Sequence, residues 1–320
     1  MASIGISASP EALDAVDVPE PTENGRVPED AVLRVREEAA RLPFSLVAVI
    51  LLWIIYLLSV TVLWARHGPL SLLLVPTVGT YLFCWLGFYR HELWHNYFPR
   101  IHNPTWFNFV SYLMWTDPQL YRLAHPTHHK YVHTPDDVEF FCQDWRTDRR
   151  QRKRQFILEL IFGNIAMQAS NYRRFMKEGR ATARASLNAV SKRLALFLSL
   201  LAIAGWIQPG GRWLFFWTYT LTIWFGAVMI RQLQWVEHLG IVSNGSLAER
   251  NLLTRNLSSD TLLGWIFNFY NHDDAREHVF HHTEPKLNTR GLKGLKLPPG
   301  ARTVTIQEYL GILATYYRNL

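Results

Sequence analysis

Four stretches of the chain are apolar on every face and almost free of charge. Phe44 to Trp64 is the first. At about 1.5 Å per residue a helix of that length crosses the ~30 Å hydrocarbon core of a bilayer. Arg66, His67, Gly68 and Pro69 break the run, and a second extends from Pro69 to Tyr89. Far downstream, Leu194–Ile207 and Trp213–Ile230 form another pair around Gln208-Pro209-Gly210-Gly211-Arg212. The third run is short. It is expected to borrow residues upstream, with Lys192 and Arg193 snorkelling to the surface. The pattern predicts an all-α integral membrane protein: four transmembrane helices in two hairpins, with a cytoplasmic helical cap. Trp106–Trp115 and Phe156–Met167 read as helices lying in the interface. Residues 1–42 read as a disordered tail that becomes a short amphipathic helix near Ala31–Leu42. Residues 43–300 are the expected membrane unit and 301–320 a C-terminal helix. The start of the chain lacks the basic and apolar segments of a signal peptide, and no internal repeat, coiled coil or Gly-rich phosphate loop is visible.

Charge orients these spans. Arg90 to Arg193 is rich in Lys and Arg, including the run Arg146–Arg154, whereas the two turns on the other side carry only Arg66 and Arg212. The asymmetry predicts that both termini and the long connection are cytoplasmic. It also accounts for the net charge of +7 through contact with anionic membrane lipid rather than nucleic acid. The thirteen Trp suit an interfacial belt. Cys84 and Cys142 form no CxxC pair, so neither a disulfide framework nor a sulfur metal site is expected.

The thirteen histidines are the anomaly. His91-Glu92-Leu93-Trp94-His95 follows the second span. His125-Pro126-Thr127-His128-His129 lies in the cytoplasmic connection, Gln234-Trp235-Val236-Glu237-His238 follows the fourth span, and His278-Val279-Phe280-His281-His282 lies near the C-terminus. All four clusters therefore fall at one membrane face, on a topology that came from hydrophobicity and Lys/Arg counts alone. Residues at i, i+3 and i+4 share a helix face, so HxxxH presents two imidazoles to one point and HxxHH three. The boxes supply His91, His95, His125, His128, His129, His238, His278, His281 and His282. One ion usually takes three or four protein ligands, so nine imidazoles suit two ions with positions left open. Imidazole suits Fe, Zn, Cu and Ni alike, so ligand type does not choose the metal; a redox function would favour two iron ions, although zinc can replace iron on purification. Candidate acceptors for the outer imidazole N–H groups are Glu92, Glu237, Asp136, Asp137, Asp273 and Asp274. His67 reads as structural, and His102, His133 and His272 as neighbours rather than ligands, His272 being the closest to an exception.

Three other classes compete. His91-Glu92-Leu93-Trp94-His95 is a literal HExxH, the zinc-protease signature with Glu92 as base, but that reading leaves six boxed histidines without a use. A haem electron-transfer protein places isolated axial His within spans, not beyond their ends. A metal transporter wants polar groups inside the spans, where they are nearly absent.

The boxes HELWH, HPTHH and HVFHH after paired spans resemble the membrane fatty acid desaturase and hydroxylase superfamily. The segment from His129 to Asp137 resembles the stretch just after the second box in desaturases. The resemblance runs from roughly Phe44 to Pro285. It implies a non-haem diiron centre that uses O2 to oxidise an unactivated C–H bond of a lipid-like, fatty acyl substrate. Removal of a second hydrogen gives an alkene; oxygen rebound gives an alcohol of an alkyl, sphingoid or carotenoid substrate. HxxHH in place of HxxxHH in the second box sides with the desaturases. The resemblance further implies that His238 completes the ligand set, that Gln234 is a water-mediated polar neighbour, and that electrons come from a ferredoxin or similar small redox protein and its reductase. The run Arg146–Arg154 is a candidate docking face for an acidic donor. The lead Tyr270–Glu277 before the third box departs from the family pattern.

Overall fold

A computed structural model describes residues 29–181, 183–208, 210–272, 276–283 and 297–320; the tail expected over residues 1–28 lies outside them. Helix α1 (Glu29–His67) is continuous through Pro43. Proline removes one backbone hydrogen bond, but Leu42, Leu46, Val49 and Trp53, spaced as one helix face, are all buried and hold the helix in line. Among the described residues, the stretch Ala31–Leu42 is thus continuous with the span. The chain re-enters through tight 3-10 turns over Gly68–Leu74 and wider π-type turns over Val75–Gly79, each with a proline at its start. It then forms α2 (Thr80–Trp94).

Between α2 and the next long helix lie α3 (Asn103–Leu113), α4 (Pro118–Tyr131), α5 (Arg149–Phe162) and α6 (Asn164–Lys177). The stretch Phe156–Met167, expected as one helix, is two. Gly163 divides it at φ +54°, and a Cβ there would meet the carbonyl of Ala227 at 2.1 Å. Backbone contact with the last long helix is thus what breaks the run, and only glycine fits it.

Helices α7 (Ala183–Ile207) and α8 (Gly211–His238) follow. Among the described residues, four segments are long and apolar enough to cross a membrane: Arg41–Trp64, Gly68–Trp94, Leu187–Ile207 and Gly211–His238. The third is lengthened upstream, but Arg193 turns inward: its guanidinium donates to the carbonyls of Ala189 and Trp115. The fourth continues past Ile230 through Arg231, which is wholly buried and paired with Glu159. At the α7–α8 turn Trp206 and Trp213 are 87% and 71% exposed, as interfacial tryptophans are.

The remainder is α9 (Leu247–Leu252), β1 (Arg255–Leu257), α10 (Leu262–Tyr270), α11 (His278–Thr283), β2 (Arg302–Val304) and α12 (Ile306–Asn319). Among the described residues the fold is helical except that β1 and β2 pair in parallel, Arg255 opposite Arg302 and Leu257 opposite Val304. Three-residue strands are too short to show an alternating pattern, so the sequence predicts neither. One core joins α1, α2, α3, α7 and α8 around Trp53, Phe83, Phe107 and Tyr219. A second ties α5, α8, β1 and α12 through Phe156, Trp235, Leu257 and Tyr309.

Candidate metal centre

The elements that end at one face of the helix bundle carry the histidines. His91 lies in the last turn of α2 and His95 caps it. Asp117 starts α4 by accepting from the backbone N–H groups of Gln119 and Leu120, and the helix then presents His125, His128 and His129. His238 is the last residue of α8, and α11 holds His278, His281 and His282.

These nine residues gather into adjoining groups. The ligand atoms of His91, His95, His125, His129 and His281 all lie within 4.8 Å of one another, as do those of His128, His238 and His282; Glu237, His238 and His278 form an overlapping set. Each HxxHH is therefore divided. His125 and His129 face one group while His128 faces the other, and His278 and His282 part from His281 in the same way. At about 100° per residue, positions i and i+4 are about 40° apart, whereas i+3 and i+4 differ by a full 100°. Three imidazoles of one box share a side of the helix but not a point.

The contacts within the first group fit a cation. Nε2 atoms approach in a chain: His91 to His281 at 3.0 Å, His281 to His129 at 2.9 Å, His129 to His125 at 3.1 Å and His125 to His95 at 3.1 Å. An imidazole nitrogen carries one proton or one lone pair, so five nitrogens can satisfy at most two of these four contacts by hydrogen bonding. Nitrogens bound at about 2.0–2.1 Å and at right angles around one ion would sit about 3 Å apart, as these do. In the second group both ring nitrogens of buried His282, and Nδ1 of His238, have no hydrogen-bond partner among the described residues. Such orphaned groups are rare unless an ion or water completes them.

An outer ring orients the imidazoles. Asp137 accepts from Nδ1 of His128 at 2.9 Å, which turns the Nε2 lone pair inward. Carboxylate oxygens of Glu92 and Glu237 lie 3.5 Å and 3.3 Å from Nδ1 of His91 and His278. Gln234 bridges the Arg231 guanidinium and Glu139, and Glu139 lies 3.8 Å from Nδ1 of His125. Asp136 is not brought in; it pairs with Arg146 at the surface. His272 stacks on Trp85, 4.7 Å between centroids, and joins neither group. His133 bonds the Thr254 hydroxyl. Asp273 and Asp274 lie outside the described residues.

No sequence pattern singles out Glu139, or the backbone scaffold of the site. Arg255 donates to the carbonyls of Trp235, Val236 and Leu239 at the end of α8, where orphan carbonyls and the helix dipole favour a cation. Gln143 donates to the carbonyl of His238 and accepts from Gly240 N–H. Asn256 accepts from Val279 N–H, and Asn251 donates to the His282 carbonyl. These residues lie apart in sequence and carry no spacing motif.

Electrostatics favours neutral imidazole. Burial, and then the neighbouring histidines, hold His125, His281 and His282 well below the usual range and His129 at about 2. Burial also opposes charge on His128, but Asp137 and Glu139 outweigh it and carry that ring up to about 9. Below pH ~6.5 the unfolded chain binds protons at the four depressed sites that the folded chain refuses, so stability falls with falling pH there. His128 works in the opposite sense, adding stability at acid pH that is lost as pH rises towards 9. His133, depressed by burial, joins the four, and Glu139, raised by burial, works with His128; five sites against two decide the sign. The thermal midpoint of metal-free protein is expected to drop between pH 7 and pH 5, and calorimetry across that range checks it; a flat or rising midpoint would contradict the neutral cluster.

Comparison with curated proteins gives no match, and comparison with solved structures gives none. The fatty acid desaturase family model matches residues 67–296, which span all four histidine clusters and three of the four candidate membrane helices. With this match and the grouped imidazoles together, the chain belongs to the fatty acid desaturase family, a family of oxidoreductases.

Proposed function

We propose that the protein is an O2-dependent diiron oxidase of the membrane that desaturates a fatty acyl chain. His91, His95, His125, His129 and His281 hold one ion. His128, His238, His278 and His282 hold the other, with Glu237 beside them. The observation that carries this reading is the gathering of nine imidazoles, each buried or partly buried, into adjoining groups with nitrogen spacings suited to metal. When bound, the ions supply the redox chemistry that activates O2 against a C–H bond. The chain's own residues hold the imidazoles in one tautomer through Asp137 and its counterparts, exclude water by burial, and position the acyl chain. The HExxH alternative loses support because His91 and His95 share their group with three further imidazoles.

The same reading makes the spans two hairpins within a unit of about residues 43–300, with the ligands forming a cap on the cytoplasmic side. Sidedness rests on the excess of Lys and Arg between the second and third spans. A small acidic redox protein such as a ferredoxin, with its reductase, supplies the electrons. Exposed Arg150 and Arg154 support docking on α5, whereas Arg146 is engaged with Asp136 and Asp144.

The test is expression with a suitable donor, followed by mass spectrometry of total lipids and metal analysis of anaerobically purified protein. Products lacking two hydrogens and about two iron ions per chain are expected. Products with one added oxygen would make it a hydroxylase, and a single ion would end the diiron reading.

A further inference from the structure

Beside the metal groups the protein has a large cavity that none of their histidines lines. It lies among α6, α7, α8 and the α3–α4 connection and encloses about 1050 Å3, at the top of the ~300–1,000 Å3 range of small-molecule sites. Its exposed lip includes Phe162, Ile165 and Leu187. Leu187 begins the third candidate span, so the mouth faces lipid. The floor is buried and apolar, with Phe83, Met114 and Ala227.

One wall is different. Arg90 lines the cavity and is 8% exposed. It donates to the Thr116 hydroxyl at 2.9 Å, and its guanidinium lies over the Tyr121 ring at 4.4 Å. Its Nε has no hydrogen-bond partner among the described residues, and no carboxylate among them lies within ion-pair distance. The one acid on the wall, Asp117, is engaged in capping α4, while a second cation, Arg193, also lines the space. A buried guanidinium facing apolar space is costly without an anion. An anion carrying a hydrocarbon tail satisfies both the cation and the walls.

We propose that this cavity is a binding site for a free long-chain carboxylic acid, which enters sideways from the bilayer. Its carboxylate sits on Arg90 and its chain lies along the apolar walls. A carboxylate matches the planar guanidinium. It is also compact enough for the buried end, where a phospholipid headgroup would leave further polar atoms without partners. Tyr121, stacked on His125 at 4.8 Å, separates this site from the first metal group. The site stands whether or not the oxidase reading holds, because its test reads binding alone.

The experiment is equilibrium binding of palmitate and of hexadecanol to the full chain in nanodiscs of neutral lipid. The two probes share a chain length and differ in the head. The unaltered protein is expected to prefer palmitate by at least about tenfold, the scale of a charged hydrogen bond. Arg90→Gln should erase that preference. Ala169→Trp, a change at an exposed lining position, should weaken both ligands by at least about tenfold by filling the groove. Equal affinity for the two probes in the unaltered protein would overturn the proposal, as would an undiminished preference in Arg90→Gln or displacement of palmitate by phosphatidylglycerol. If Arg90→Gln does not fold, the comparison of probes and Ala169→Trp still decide.

Discussion

Replacing His281 by alanine is expected to lower turnover by more than about 100-fold and to remove metal from the first group. Its Nε2 touches those of both His91 and His129, and it is the member that α11 contributes to an otherwise α2–α4 set. Removing a group that merely supports a ligand typically costs about 10–100-fold in metal affinity or activity, so a ligand itself should cost more. Asp137→Ala provides the intermediate case. It frees the Nδ1 proton of His128 without deleting an imidazole, and should fall within that 10–100-fold range. His102→Ala should change neither quantity, because His102 is exposed and its ring bonds the Thr105 hydroxyl within its own turn. Metal content and donor-coupled turnover of the three variants are the measurements. Full metal occupancy and activity in His281→Ala would refute the first group as a metal site.

Arg231→Met is expected to destabilise the protein by about 3–5 kcal/mol, the cost of stranding one partner of a buried pair. Arg231 and Glu159 are both wholly buried. The guanidinium also donates to Gln234 and to the Glu139 carbonyl and lies over Phe140. Without it Glu159 keeps, among the described residues, the Gln155 amide and the weak Cys142 thiol donor at 4.0 Å, and the Gln234–Glu139 link beside His125 is loosened. Changing both partners, Arg231→Met with Glu159→Leu, should recover most of the stability, because an apolar pair has no charge to desolvate. It should not recover the metal site, since Gln234 remains unanchored. Thermal unfolding and metal content measured together separate the two roles. Equal instability of the single and double variants would show that packing, not stranded charge, sets the cost.

The helical class and the candidate histidines were legible because both rest on local periodicity. An apolar run long enough to span a bilayer declares itself, and imidazoles at i and i+4 declare a shared helix face. The features that sequence could not reveal depend on partners distant along the chain. Ending the fourth span at Ile230 followed from the charge on Arg231, and that charge is hidden only because Glu159, on another helix, cancels it. The break at Gly163 is made by the backbone of Ala227. Glu139, Arg255 and Asn256 sit in irregular or very short elements where no period operates. The division of each HxxHH could have been drawn from helix geometry, but which half joins which group depends on how α4 and α11 face each other.

The β1–β2 pair gives the molecule an order of assembly. Asn256 in β1 accepts from Val279, within the third histidine box, and β1 is completed by strand pairing with residues 302–304. Every candidate ligand precedes those residues in the chain. A nascent chain can thus insert all four apolar helices while the strand that steadies its last three histidines has still to be made. On the diiron reading, metal loading would then come late in biosynthesis, after membrane insertion rather than guiding it.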